Sequence, residues 1–242
     1  MSIVEVEDKK PFVKRLNGYL QDADYRVAAS RAERRAIFHL RYESYLREGA
    51  IHPNRDEMFR DDYDEMDNCW LFGVHMDGRL VSSIRFHAVS PGNPKGPAVD
   101  VFPDVVKPMI EAGITVIDPT RLVVDQTASK LYPELPYVTM RVACMASEYF
   151  EAKYCLATVR AEHRAFYQRI FRFEKVCEPR PYPALLKPIS LLAGDMARVR
   201  NDVADRYPVF ASSFTERRML FEQPKSESEL AETMPLPHVA NA

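Results

Sequence analysis

No stretch of the 242-residue sequence approaches the roughly 18 consecutive apolar residues that a membrane span requires. The first residues, MSIVEVEDKK, lack a basic end followed by an apolar run, so no secretory signal is expected. The four cysteines, Cys69, Cys144, Cys155 and Cys177, are scattered, without a C-x-x-C pair and without a histidine at zinc-finger spacing. That argues against a disulfide framework or a structural metal, and for small buried thiols in a reducing compartment. A cytoplasmic location is the resulting expectation. Charge of one sign is lacking too: 33 Lys/Arg stand against 35 Asp/Glu, for a net charge of −2. Wholesale nucleic-acid binding calls for a strongly basic domain, so the near balance argues against it, although not against local patches. Neither an internal repeat nor a clean linker is visible. The composition left is that of a globular protein long enough to bury a sizeable core.

Order along the chain comes from periodicity. Residues 1–22 are mixed and charged and read as a surface arm; a single domain over 23–210 follows, then a largely disordered tail over 211–242. Tyr25–Ala29 is a short strand candidate. From Arg31 the pattern is helical, with Phe38, Tyr42, Tyr45 and Leu46 on one face, Arg41 at its edge, and Gly49 and Pro53 as stops. An acidic loop, HPNRDEMFRDDYDEMDN, leads to Trp70–Met76 and Arg79–His87. These two runs form the clearest hairpin, because Asp77-Gly78 between them is a type I′ turn signal. A Pro/Gly loop is expected before Thr115. Beyond it come a long helix (Leu135–Lys153), a buried strand (Tyr154–Val159) and a short helix (Arg164–Phe171). Two strands (Glu174–Cys177, Ile189–Leu192) and a polar helix (Asp195–Tyr207) complete the order. Strand runs interspersed with single helices predict one mixed α/β sheet with helices on both faces.

Thr115–Asp125, TVIDPTRLVVD, is the unusual stretch. Val116, Ile117, Leu122, Val123 and Val124 are strand-forming, yet Asp118, Pro119 and Arg121 interrupt them. Proline cannot donate to a ladder, so a strand holding Pro119 lies at an edge or carries a bulge. Two opposite charges in such a run cost free energy unless they are paired or have work to do. Arg41 and Arg85, in apolar surroundings, also need carboxylates, and Asp61 and Asp64 of the D-D-Y-D loop are natural candidates. The set is either a structural ion-pair network or part of a site; Asp62, Glu65 and Asp67 read as solvated loop charge.

In this order the motifs resemble the acyl-carrier-protein-dependent branch of the GNAT-type N-acyltransferases: the acyl-homoserine-lactone synthases and the long-chain N-acyl amino acid synthases. Four features carry the resemblance over about Arg31–Asp195. They are Arg41-Tyr-Glu-Ser-Tyr45, Asp61-Asp-Tyr-Asp64, the hairpin arginine Arg85, and Asp118-Pro-Thr-Arg121-Leu-Val-Val. His163 with Phe166 and Tyr167 points to the amino acid synthase side, and the missing tryptophan between Gly49 and Asp61 points away from the lactone synthases. The chain departs from the pattern at Asp118, where glutamate is more usual, at Pro119, and at Arg172, where glycine is common. Coenzyme-A-using relatives place a glycine-bearing turn before the long helix, whose backbone N–H groups hold a pyrophosphate. Here that interval, DQTASKLYPELP, has no glycine.

The resemblance implies a GNAT-like fold with a bulged, splayed central strand. It further implies an N-acyltransferase that moves a fatty acyl group from a carrier-protein thioester to the amine of an amino acid or related small molecule. No resident cofactor or metal is implied, the phosphopantetheine thioester arriving with the donor. Asp118 becomes the candidate base. Tyr167 is either the proton donor to the thiolate or a core tyrosine. Arg41, Asp61, Asp64, Arg85 and Arg121 form the acceptor-side cluster, and Leu122, Val123 and Val124 pair with the pantetheine arm. Met140, Met145, Tyr149 and Phe150 line an acyl tunnel or are simply core. Lys153–Lys187, with eight Lys/Arg against three Glu, is either a docking patch for an acidic carrier protein or a solvated face. A lactone synthase using S-adenosylmethionine and a non-catalytic carrier-protein or lipid-binding module stand as alternatives.

Overall fold

A computed structural model describes residues 9–182 and 185–225. Its centre is a seven-stranded mixed sheet with the spatial order β1-β2-β3-β4-β5-β7-β6. The strands are β1 (Asp24–Val27), β2 (Cys69–Met76), β3 (Arg79–Val89), β4 (Val116–Val124), β5 (Tyr154–Val159), β6 (Glu174–Lys175) and β7 (Ser190–Asp195). Neighbours are antiparallel except β4 and β5. A parallel pair needs a crossover, supplied here by α5 (Gln126–Leu131) and α6 (Leu135–Tyr149). The β2–β3 hairpin turns at Asp77 and Gly78, with φ of 50° and 72°, as a type I′ turn requires.

Helices cover both faces. α6 packs on β3 and β4, in one large core with Ile84, Phe86 and Ile117. On the opposite face lie α2 (Arg31–Arg47), α3 (Pro97–Val101) and α4 (Pro103–Glu111). Val99, Phe102, Val106 and Ile110 meet Val89, Val116, Leu156 and Leu191 there in a second core. α2 starts where it does because Ser30 and Glu33 form a reciprocal capping box. It stops at Gly49, whose φ of 59° lets the Gly49 and Ala50 N–H groups fold back onto Leu46 and Tyr45 carbonyls.

Several expected boundaries change. From Lys9 to Asp22 the expected arm is a helix, α1, whose Leu16 is fully buried against the main core. The loop expected before Thr115 contains α3 and α4, each opened by a proline at its first turn. The remaining helices are α7 (Arg164–Phe171), α8 (Met196–Ala204) and α9 (Phe214–Phe221). α9 falls inside the expected disordered tail and is ordered by packing: Phe221 lies 5.6–5.9 Å from the rings of Trp70, Phe72, Phe86 and Phe150. Burying such a ring contributes about 1.5–3 kcal/mol. The rest of that tail, 226–242, and the arm's first eight positions lie outside the described residues. No described helix is long and apolar enough to cross a membrane.

The feature that positions a site is the departure of β4 from β5. Their ladder holds only Val116–Tyr154 and Ile117–Cys155; from there β4 continues along β3 while β5 continues along β7. The predicted bulge is present. Ser83 pairs with Val123 but Arg85 with Thr120, so Ile84 faces both Arg121 and Leu122. Arg121 takes the left-handed conformation, φ 57°, at the bulge. Pro119 stands two residues past the last β4–β5 pair, on the stretch with an open edge.

Candidate active site

The splayed strands enclose a cavity of about 440 Å³ near their carboxyl ends, the place where open α/β sheets bind ligands. Thr120–Val124 form one wall, so Leu122, Val123 and Val124 are cavity residues. Thr158 and Val159 of β5 form the other, with Phe166 and Tyr167 of α7 and with Ile84 and Met140 also in the lining. Of the four helix residues considered for a tunnel, only Met140 reaches it. Met145 is core, while Tyr149 and Phe150 pack on Phe221. Tyr167 is buried, which pushes its hydroxyl pKa upward, so it is a neutral phenol throughout the neutral range.

On the other side of β4 the five expected cluster residues form one alternating chain. Arg41 Nη1 meets Asp64 Oδ1 at 2.8 Å, and Asp64 Oδ1 meets Arg85 Nη1 at 3.0 Å. Arg85 Nη1 also donates to Asp61 Oδ1, whose other oxygen accepts from Arg121 Nη2 at 2.6 Å. Burial raises a carboxyl pKa, but Arg85 and Arg121 outweigh it at Asp61, as Arg41 and Arg85 do at Asp64; both are held below the usual range. Three guanidinium groups therefore share two directly paired carboxylates, with the Asp118 carboxyl within electrostatic reach of Arg85. Arg41 Nε, Arg41 Nη2 and Arg85 Nη2 have no hydrogen-bond partner among the described residues.

Arg121 belongs to both regions, since it lines the cavity and joins the chain. Its guanidinium carbon sits 4.4 Å from the Phe59 ring centroid, 5.4 Å from Tyr45 and 5.3 Å from Tyr182. The aromatic cage fixes its direction.

The expected base, Asp118, lies on the cluster side of β4. It is fully buried and absent from the cavity wall, and its Oδ2 accepts from the Ala98 N–H of α3 at 2.9 Å. Alternation along β4 puts it on the face of Thr120, opposite His87, so it points toward the cluster and not toward the donor cavity. Burial lifts its pKa to about 6, against the Ala98 N–H and Arg85, and its Oδ1 has no partner among the described residues. His87 is likewise buried, its pKa lowered to about 3 by burial and by Arg85, and its Nε2 bonds the Tyr63 carbonyl at 2.9 Å. Tyr182 was hidden in a proline-rich link. It is buried with its hydroxyl unpartnered, pushed up to about 12 by burial, and within electrostatic reach of Arg121, Arg85 and Asp118. Among the described residues no group of His, Cys, Asp and Glu is arranged to hold a metal.

A sheet splayed beside a bulged central strand, with helices on both faces and a tyrosine facing the gap, is the architecture of GNAT-type acyltransferases, and the chain is an acyltransferase of that class. The family model described as N-acyl amino acid synthase FeeM matches residues 36–195, about two thirds of the sequence, and the chain belongs to that family. Solved structures agree in fold. The structure of FeeM, an N-acyl amino acid synthase from uncultured soil microbes, is 15% identical over 76% of this chain and 96% of that one, with a TM-score of 0.62. The acyl-homoserine-lactone synthase LasI is 12% identical over 72% of this chain and 90% of its own, with a TM-score of 0.56. BjaI, a coenzyme-A-dependent acyl-homoserine-lactone synthase, is 16% identical over 76% and 88%, with a TM-score of 0.52. No curated protein matches the sequence.

Proposed function

We propose that this N-acyltransferase takes a fatty acyl group from the phosphopantetheine thioester of an acyl carrier protein and passes it to the amine of an amino acid. The observation that carries the reading is a single wall with two sides. An open strand edge with a cavity lies on one side of β4, and a buried charged cluster with unpartnered guanidinium nitrogens lies on the other.

The pantetheine arm lies along Leu122–Val124, and the acyl chain runs toward Ile84 and Met140. The acceptor's carboxylate takes the Arg85 Nη2, which has no partner among the described residues, with the Tyr182 hydroxyl beside it. Its amine lies on the Asp118 side. Asp118 thus serves as the amine-side carboxylate, and a pKa near 6 suits a base working near neutral pH. The neutral amine attacks the thioester carbonyl, the C–N bond forms, and backbone N–H groups at the bulge stabilise the oxyanion, each worth about 2.7–4 kcal/mol in model enzymes. The C–S bond then breaks, the amine proton passes to Asp118, and Tyr167 protonates the departing thiolate. The donor brings its own prosthetic arm, so no resident cofactor is used. Exposed Arg169 and Arg172, on and after α7, offer complementary charge to an acidic carrier.

The test is intact-mass analysis of long-chain acyl-carrier protein incubated with purified protein and mixed amino acids. Loss of the acyl group with appearance of a linear amide is expected. An acyl group retained with every amino acid, or a lactone formed with S-adenosylmethionine, overturns the reading.

A further inference from the structure

The donor's phosphate must be met by something where the cavity opens, and the usual place is already filled. The helix that follows β4, α5, is capped by Asp125, whose Oδ1 accepts from the Ala128 N–H at 2.8 Å. At the start of α6, Glu134 stands at the cap, and Pro136 in the first turn has no N–H to offer. Two acids and a proline thus occupy the ends where backbone donors would otherwise cradle an anion.

The opposite lip of the cavity is built differently. Arg47 and Glu48 come from the end of α2, and Arg160 and His163 from the turn after β5. Among the described residues the other arginine in the lining is Arg121, held at the inner end by Asp61 and its aromatic cage. Arg160 forms an ion pair with Glu48, tying the end of α2 to the turn after β5. It also meets Glu162 at 3.3 Å, and its Nη2 donates to His163 Nε2 at 2.9 Å. An arginine only donates, so His163 Nε2 is the acceptor of this hydrogen bond. Arg47 is exposed and makes no ion pair of its own among the described residues. Among the described residues Glu48 is thus the one carboxylate in the cavity lining, and it sits on the cation that faces the incoming donor.

The geometry points to Arg160 and Arg47 as a side-chain site for the 4′-phosphate of the donor's pantetheine arm, with Glu48 holding Arg160 until the phosphate replaces it. The inference rests on the donor reading above and adds the group that recognises the phosphate. Exchanging one anion for another leaves Arg160 paired in both states, so the lip stays tied when empty and Arg160 is released only to an anionic donor. A guanidinium fork gives phosphate two parallel hydrogen bonds, which pantetheine without phosphate cannot collect.

Calorimetric titration of the full chain with 4′-phosphopantetheine and with pantetheine tests this. The wild type should bind the phosphorylated compound about tenfold more tightly or better, the factor that a charge-assisted pair supplies. Arg160→Gln should reduce that ratio to near unity, and Arg47→Gln, at an exposed position, should reduce it in part. Glu48→Gln should tighten phosphopantetheine several-fold, roughly what loss of a competing exposed carboxylate allows, and leave pantetheine unchanged. Equal affinity of the wild type for both compounds overturns the phosphate site but spares the donor cavity. A ratio unmoved by both arginine variants overturns it as well. Binding of neither compound overturns the phosphate site and the donor reading together.

Discussion

Arg85 and Thr120 stand directly opposite each other in the β3–β4 ladder, and Arg85 Nε donates to Thr120 Oγ1 at 3.0 Å. Thr120 also lines the donor cavity, so one residue separates the space offered to the thioester from the arginine offered to the acceptor. The bulge follows at once, with Arg121 turned into the left-handed region and its guanidinium carried back to Asp61. The two sides of the reaction therefore meet across one strand, at the point where that strand has lost its β5 partner.

Replacing Thr120 tests that wall without touching a charge. Thr120→Val keeps the shape and strand preference but removes the acceptor for a fully buried Nε–H. A loss of about 1–3 kcal/mol is expected, the cost of stranding a buried donor, read as a lower urea midpoint at unchanged slope. Thr120→Ser restores the oxygen and should recover much of it. An unchanged midpoint in the valine variant means the Arg85–Thr120 bond contributes nothing.

Tyr167→Phe removes one oxygen from a buried ring that otherwise packs beside Phe166, Phe171 and Phe173. The thermal transition should persist, since the ring and its contacts remain. As proton donor to the leaving thiolate, Tyr167 contributes what general acids typically do, so kcat should fall about 100-fold or more while KM for the donor stays near its wild-type value. Unaltered kcat would reduce Tyr167 to a core ring.

Much of this arrangement was legible in the residues. Asp77-Gly78 carries the hairpin turn in its own chemistry, and Pro119 announces an interrupted ladder because proline has no N–H. The five charged residues had to find one another, since no apolar strand or helix keeps an unpaired arginine. Other features left no local trace. The surface-arm reading of Lys9–Asp22 failed because one deeply buried residue, Leu16, makes too faint a stripe. The proline-opened helices α3 and α4 were masked by the Pro/Gly composition around them. Tyr182 is placed only by long-range packing on Arg121. That Arg121 would take the left-handed position at the bulge was equally silent, because the residue type that usually marks such a position is glycine, and this sequence has only eight.

The same scarcity supplies a prediction at the end of α7. Arg172 caps that helix with φ 57°, an exposed side chain in the left-handed region. A non-glycine residue there costs about 1 kcal/mol or slightly more, and glycine removes the strain while giving back some unfolded-state entropy. Arg172→Gly should therefore raise stability by about 0.5–1 kcal/mol. A chemical-denaturation midpoint at or below wild type would show that the arginine side chain compensates for its backbone.

Asp118 gives the sharpest separation of folding from catalysis, because its stability effect has a sign. Its carboxyl is buried and lifted to about 6 in the folded protein, from an ordinary value of 3.8. The folded state therefore holds the proton more tightly than the unfolded chain. Its contribution to stability is fully present below pH 3.8 and is lost as pH rises through 6. Over that window the loss approaches about 3 kcal/mol, since each pH step of one between the two values is worth about 1.36 kcal/mol. Asp61 and Asp64 run the other way: their depressed values give stability that is present above the normal carboxylate range and lost as pH falls. Acid unfolding below about pH 4 belongs to them. Asparagine at position 118 is neutral at every pH, so Asp118→Asn should gain on the wild type in relative stability between about pH 4 and 7, fold with a normal transition, and lose turnover. A stability difference flat across that range would mean the carboxyl is not held in its protonated form by burial. Full turnover in the asparagine variant would remove Asp118 as the base, leaving Arg85 and Tyr182 as the acceptor-side groups that still need a partner.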